Sequence, residues 1–160
     1  MRFRALASAL LLLCLVSAAF SQDKPLTGWK YSFTAKPLGE EWADPGFTKL
    51  SDGVKDPSKS AILSGGTIAV DIDLTRPCHL SKLVAQVHRH NDNYKLQKLS
   101  VEALQAGQYV TVGENTSGFW GPTEQRAFAL EVPLDVSTDR LRVVFSSASI
   151  VSIQEIELFG

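Results

Sequence analysis

Cysteine is nearly absent from this 160-residue chain, which contains only Cys14 and Cys78. Cys14 lies in an apolar run that follows Arg2 and Arg4, a pattern that predicts a secretory signal peptide over residues 1–21. Its cleavage would leave Cys78 as the only thiol. An intrachain disulfide is therefore excluded, and the fold must depend on its core or on a metal ion. We expect a secreted or periplasmic protein.

An excess of charge of one sign is also lacking, because 16 Lys and Arg residues face 17 Asp and Glu residues. Removal of the signal peptide takes the formal charge from −1 to roughly −3, which argues against nucleic acid or an anionic membrane surface as a partner. No transmembrane segment is expected after cleavage. The remaining chain of about 139 residues fits one domain, with a short leader over 22–28 and the domain over 29–160.

The sequence has no amphipathic run long enough for a major helix, and strand patterns fill the chain instead. In "TIAVDIDL", Ile68, Val70, Ile72 and Leu74 alternate with mostly polar residues, which is typical of a half-buried antiparallel strand. The same period recurs in "KLVAQVH", "KLSVEAL", "QYVTVGE", "RAFALEVPL", "DRLRVVFSS" and "SIQEIELFG". Seven or eight short strands separated by turns predict an all-β, antiparallel β-sandwich or barrel.

Motifs of the common enzyme classes are missing: there is no Gly-x-Ser-x-Gly elbow, no Gly-rich phosphate loop and no His-Glu-x-x-His pair. This absence favours a protein that is not an enzyme. If the strand before them continues, His88 and His90 share one face, as two zinc ligands would. A third ligand is not evident, so a small metal-dependent enzyme stays a remote alternative.

The most polar segment is "HRHNDNY", which is either a solvated loop or a ligand-binding loop. Its side chains can grip hydroxyl groups through directional hydrogen bonds; we predict a binding set of His88, Arg89, His90, Asn91, Asn93 and Tyr94.

Aromatic residues also occur outside the alternating strands, at Trp42, Phe119 and Trp120. Exposed loop aromatics provide flat surfaces on which sugar rings stack, and "SGFWGP", which contains Phe119 and Trp120, is the best candidate. The alternative is that this segment is a hydrophobic plug closing one end of the sandwich. Trp29, at the start of the first strand, is predicted to belong to the core.

Several segments, in their order and spacing, carry a family resemblance. They are "WADPGFTKLSDGV", "TIAVDIDLTRPCHLSKLVAQV", "KLSVEAL" and a final "RLRVVFSS" followed by "IQEIELFG". Together they resemble the discoidin, or coagulation-factor type C, family of bacterial secreted type, over about residues 29–160. The resemblance implies a galactose-binding-like β-sandwich of the jelly-roll type.

The resemblance further implies a structural calcium ion between the Asp-Gly loop and the last strand. Asp52 and Glu155 would supply carboxylates, and Leu50 and Val54 would supply carbonyl oxygens. It also implies a non-catalytic module that binds a carbohydrate through its end loops, with a glycan as partner. The alternative partner is a protein of the cell envelope, for a domain that has an interaction or structural role and no sugar ligand.

Overall fold

The computed structural model of the chain describes residues 24–91, 93–94, 96–116 and 127–160. The predicted signal peptide, together with Phe119 and Trp120, lies outside these residues.

Eight β-strands make up most of the described chain, and the only helical segments there are two 3₁₀ turns, Glu40–Trp42 and Pro57–Lys59. Among the described residues, no helix is long and apolar enough to cross a membrane. The strands are Lys30–Phe33 (β1), Lys36–Pro37 (β2), Ala61–Ser64 (β3), Ile68–His88 (β4), Leu96–Gln105 (β5), Gln108–Asn115 (β6), Ala127–Ser147 (β7) and Ile150–Phe159 (β8).

Two of the strands are much longer than the sequence patterns predict, since β4 and β7 each run for 21 residues. The sequence patterns predict two short strands separated by a turn in place of each long strand, and this prediction is wrong. The two strands instead pair antiparallel from one end to the other, with register shifts after Asp73 and after Leu80. The four residues 74–77 lie opposite one residue of β7, and Thr75 there has a φ of 65°. A bulge therefore takes the place of the expected turn and bends the strand.

This bend lets both long strands contribute to two layers. One layer contains β1, residues 68–73 of β4, the end of β7, β5 and β6. The other contains β2, β3, β8, residues 82–88 of β4 and the start of β7. The result is the antiparallel sandwich that the sequence predicts.

The predicted alternation places the core correctly. Ile68, Val70, Ile72 and Leu74 are at most 5% exposed, and the inward residues predicted for the other strands are buried as well. Trp29 also lies in the core, beside Tyr31. The hydrophobic side chains of both layers thus form one cluster between the sheets.

The two layers come very close where β6 meets β7. A Cβ atom on Gly113 would lie 2.6 Å from Val132 Cγ1 and 2.9 Å from the carbonyl oxygen of Pro133. Next to it, Asn115 Nδ2 donates a hydrogen bond of 2.8 Å to the carbonyl oxygen of Glu131. Only a residue without a side chain fits at Gly113, so this glycine permits the closure of the sandwich at this edge.

The last residues of the predicted leader lie along the final strand. The Leu26 N–H donates to the Leu158 carbonyl oxygen at 2.8 Å, and Pro25 forms a β-bridge with Phe159. The Gly160 N–H donates in turn to the carbonyl oxygen of Lys24 at 3.3 Å. The start of the described chain thus covers part of the outer edge of β8.

Candidate functional site

The Asp-Gly loop, residues 48–54, and β8 meet although about a hundred residues separate them in the sequence. The Gly53 N–H donates to Glu155 Oε2 at 3.1 Å, and the Ile156 N–H donates to the Leu50 carbonyl oxygen at 2.8 Å. Inside the loop, Asp52 Oδ1 accepts from the Val54 N–H at 2.8 Å, and Gly53 has a φ of 77°. The structure therefore brings the residues predicted to bind calcium to one place.

A bulge in β8 explains the orientation of Glu155. Gln86 pairs with Glu155 and the adjacent Val87 pairs with Ile153, so Gln154 is an extra residue in the strand. The insertion also explains why the buried Ile153 and Ile156 are three residues apart instead of two.

Glu155 is a buried carboxyl group, only 4% exposed. Burial, together with the negative charges of Asp52 and Glu157, raises its pKa to about 7. The hydrogen bond from Gly53 and the charge of Lys55 act in the opposite direction. A site that combines two mutually repelling carboxylates with backbone carbonyl oxygens is rich in hard oxygen donors, which fit a calcium ion.

The polar loop after β4 forms an aromatic cluster. The rings of His88 and His90 lie 4.2 Å apart, centroid to centroid, so the two histidines do share one side as predicted. His90 also contacts Tyr94 at 4.9 Å and Trp42 at 6.2 Å. Trp42, His90 and Tyr94 are each partly exposed. We call these four residues, Trp42, His88, His90 and Tyr94, the aromatic cluster.

Trp42 belongs to this site but is missing from the predicted binding set. Its place outside the alternating strands marks it as a loop aromatic. Its contact with His90, however, is made across 48 positions of the chain. A 3₁₀ turn, closed by the Trp42 N–H and the Gly39 carbonyl oxygen at 3.1 Å, presents the indole. Sequence pattern alone carries no signal for such a contact.

The two predicted asparagines shape the loop and lie on its surface. Asn91 Oδ1 accepts from the Asn93 N–H at 2.9 Å, and the Asn91 carbonyl oxygen accepts from the Tyr94 N–H at 3.2 Å. This Asx turn holds Tyr94 next to His90. Burial raises the pKa of Tyr94, so its hydroxyl stays protonated and can donate a hydrogen bond.

A small cavity adjoins the aromatic cluster. His88, Arg89, Tyr94 and Ser152 give it polar groups, and its apolar wall is formed by Val87, Leu96, Phe128, Ile150 and Val151. Arg89, a member of the predicted binding set, thus lies beside the aromatic cluster. Rings next to hydrogen-bonding groups are the chemistry that recognises polyhydroxyl compounds.

The zinc alternative gains no ligand set from the structure. Within the described part of the chain, His, Cys, Asp and Glu side chains form no group of three or more that could hold a metal ion. Phe119 and Trp120, the other predicted stacking residues, lie outside the described residues.

Comparison with known proteins identifies the fold. No family model and no curated protein sequence matches the chain. Among solved structures, the C-terminal domain of a chitobiase from Bacteroides fragilis superposes with a TM-score of 0.61 at 16% identity, covering 85% of this chain and 95% of that domain.

Two modules from Clostridium perfringens superpose similarly. The family 32 CBM of NanJ, solved in complex with galactose, has a TM-score of 0.58 at 13% identity and covers 82% of this chain and 93% of its own. The module CpGH89CBM32-5, in complex with GalNAc-beta-1,3-galactose, has a TM-score of 0.61 at 11% identity and covers 82% and 95%. CBM denotes a carbohydrate-binding module. The likeness confirms the predicted fold: the chain has the discoidin, galactose-binding-like β-sandwich fold that these modules share.

Proposed function

We propose that the chain is a non-catalytic, carbohydrate-binding module that recognises a glycan through the aromatic cluster and the adjoining polar loop. The observation that carries the proposal is the convergence of Trp42, His90 and Tyr94 on one site. The fold adds support, because solved modules with this fold are in complex with galactose and with a GalNAc-containing disaccharide.

The chemistry of the site suits a sugar ring. The partly exposed faces of Trp42 and Tyr94 would pack against the apolar face of the ring. Arg89 and the imidazoles would hydrogen-bond its hydroxyl groups, together with the exposed Asn91 and Asn93. Phe119 and Trp120 remain predicted additions to the stacking surface.

The second part of the proposal is a structural calcium ion. Asp52 and Glu155 would supply carboxylate oxygens, and Leu50 and Val54 would supply carbonyl oxygens. The ion would offset the burial and the repulsion that together raise the pKa of Glu155, and it would hold the Asp-Gly loop against β8. In a chain whose mature form would have one thiol, this tie would replace a disulfide.

Export completes the proposal. We propose that residues 1–21 are removed as a signal peptide and that the module works in the periplasm or outside the cell. Its partner there would be a glycan, and nucleic acid is not among the partners proposed.

A glycan array probed with the mature protein, once with calcium and once with chelator, tests the glycan proposal. Binding to a defined glycan is the expected result, and Trp42→Ala should weaken it about ten-fold or more, as loss of a central tryptophan contact does. Tyr109→Ala is a matched control, because Tyr109 lies on the outer face of the sandwich beneath Arg142.

Absence of glycan binding in both conditions would refute the proposal and leave the interaction module of the cell envelope as the alternative. Equal losses in Trp42→Ala and Tyr109→Ala would refute the location of the site. An activity that disappears, together with bound zinc, when His88 and His90 are replaced would instead establish the enzyme alternative.

A further inference from the structure

Asp44 is a buried carboxylate that the proposed function leaves without a role. It is 5% exposed and accepts three hydrogen bonds. The Thr48 N–H donates to Oδ1 at 3.0 Å, the Lys49 N–H donates to Oδ2 at 3.2 Å, and the Tyr31 hydroxyl also donates to Oδ2. Burying a carboxylate is costly unless such partners satisfy it, so this arrangement holds the surrounding backbone in one conformation.

Tyr31 extends this arrangement to the start of the Asp-Gly loop. Its hydroxyl oxygen accepts a hydrogen bond of 2.8 Å from the Leu50 N–H. Burial and the neighbouring Asp44 raise the pKa of Tyr31, so the hydroxyl stays a donor toward Asp44. Three consecutive N–H groups, those of residues 48–50, are thus satisfied by one pair of side chains.

Toward its N-terminal side, Asp44 is linked to the segment that carries Trp42. The Ala43 N–H donates to the Glu40 carbonyl oxygen at 3.1 Å, which closes the turn that ends immediately before Asp44. Lys49 Nζ also reaches back to the carbonyl oxygen of Glu41 at 3.2 Å. The indole of Trp42 lies two residues before Asp44, so its position depends on how Asp44 is held.

Toward its C-terminal side, the same segment leads to the proposed calcium ligands. The Leu50 carbonyl oxygen accepts from the Ile156 N–H, and the Gly53 N–H donates to Glu155. Residues 40–54 therefore form a continuous hydrogen-bonded segment. It has Trp42 near one end, the calcium ligands near the other, and Asp44 between them.

We propose that Asp44 is a positioning residue that couples the calcium site to Trp42, so that calcium binding at one end fixes the stacking surface at the other. This coupling rests on the calcium and glycan sites proposed above. By thermodynamic linkage it is reciprocal, so calcium would raise the affinity for glycan, and glycan would raise the affinity for calcium by the same factor. Removing the carboxylate leaves backbone N–H groups unsatisfied and frees the two ends from each other.

Nuclear magnetic resonance of the mature protein during a calcium titration tests the coupling without any glycan. The indole N–H signal of Trp42 is assigned by its loss in Trp42→Phe. In the wild type this signal should shift in step with calcium binding. In Asp44→Asn the calcium dissociation constant should rise about ten-fold or more, and the Trp42 signal should no longer respond to calcium.

Two further variants keep the test decisive. Tyr31→Phe removes the hydroxyl that joins Asp44 to the Leu50 N–H. It should weaken the response of the Trp42 signal to calcium, as Asp44→Asn does. This variant therefore tests the coupling if Asp44→Asn does not fold. Asp73→Asn is the matched control, because Asp73 also accepts a backbone hydrogen bond, from Thr75 at 2.7 Å, but lies on β4 outside the segment. It should leave calcium affinity and the Trp42 response unchanged.

The outcomes separate the coupling from the proposals beneath it. If the wild type binds calcium but the Trp42 signal stays still, the coupling is overturned and the calcium proposal stands. An unaltered Trp42 response in folded Asp44→Asn and Tyr31→Phe would overturn it as well. If the wild type binds no calcium, the calcium proposal and the coupling both fail, whereas the glycan array still decides the glycan proposal.

Discussion

Replacing Glu155 with glutamine isolates the energetic cost of a buried carboxylate in the calcium-free protein. Glutamine has nearly the same shape, and its amide oxygen can still accept the hydrogen bond from the Gly53 N–H. The substitution therefore removes the charge, and with it the repulsion from Asp52 and Glu157 that helps raise the pKa of Glu155. Because these carboxylates are also the proposed calcium ligands, the comparison is made in chelator.

The sign of the effect follows from the two pKa values. The carboxyl group has a pKa of about 7 in the folded protein and an ordinary value of 4.5. The folded state thus holds this proton more tightly than the unfolded state, so the contribution of Glu155 to stability is greatest at low pH. It declines as the pH rises from about 4.5 to about 7 and is then constant. The gap between the pKa values corresponds to a loss of at most about 3 kcal/mol.

Urea unfolding in EDTA, at several pH values between about 5 and 8, measures this loss as the difference between the variant and the wild type. At the upper end, Glu155→Gln should be the more stable protein by about 2–3 kcal/mol, and at the lower end the two should converge. With saturating calcium the order at high pH should reverse, because the variant lacks a metal ligand. A difference in EDTA that does not change with pH would refute the reasoning.

Three further variants test the packing of the sandwich. Gly113→Ala should lower the free energy of unfolding by about 1–3 kcal/mol in urea melts, because the added Cβ overlaps Val132 and the Pro133 carbonyl oxygen; an unchanged midpoint would contradict the close approach of the layers. Ala106→Asn should raise stability by about 0.5 kcal/mol, since Ala106 has a φ of 48° in the turn between β5 and β6; destabilisation would contradict this turn. Arg142→Met should cost up to about 1 kcal/mol in thermal melts, more at low salt than at high, because Arg142 pairs with Asp71 at 2.7 Å.

Much of the fold was predictable because alternation reports directly on burial. Most outward residues of a half-buried strand are polar, so "TIAVDIDL" reveals both its strand and its inward face. The method fails where both faces are covered. Ala61, Ile62 and Leu63 in β3 are all buried, show no alternation, and were not predicted as a strand.

The continuity of the long strands was not predictable for a different reason. Pro77 and Pro133 lie inside β4 and β7, where a proline ordinarily argues against a continuous strand. Pro77 is accommodated because it falls in the bulge of residues 74–77, which is not paired residue by residue with β7. A pattern in the sequence cannot distinguish such a bulge from a turn.

The candidate site was predictable only in part. Residues in polar loops are visible in the sequence, whereas residues that join the site through contacts distant in sequence are not. The loop 88–94 is visible because its polar residues are consecutive, and the Asp-Gly loop is visible through its turn residues. Trp42 and Asp44 were not in the predicted binding set. They contact His90 and Tyr31, respectively, and no local period connects these residues to them.

The difference between strand positions and loop positions also explains why the fold is recognisable at 11–16% identity to solved structures although no family model matches the chain. Any apolar residue of suitable size satisfies an inward position of a strand, so the sandwich tolerates extensive replacement. The loops at its end are not bound by that condition, and neighbours with this fold can present different side chains there. Ligand recognition would therefore depend on Trp42, His90, Tyr94 and the Asp-Gly loop, and not on the sandwich that holds them.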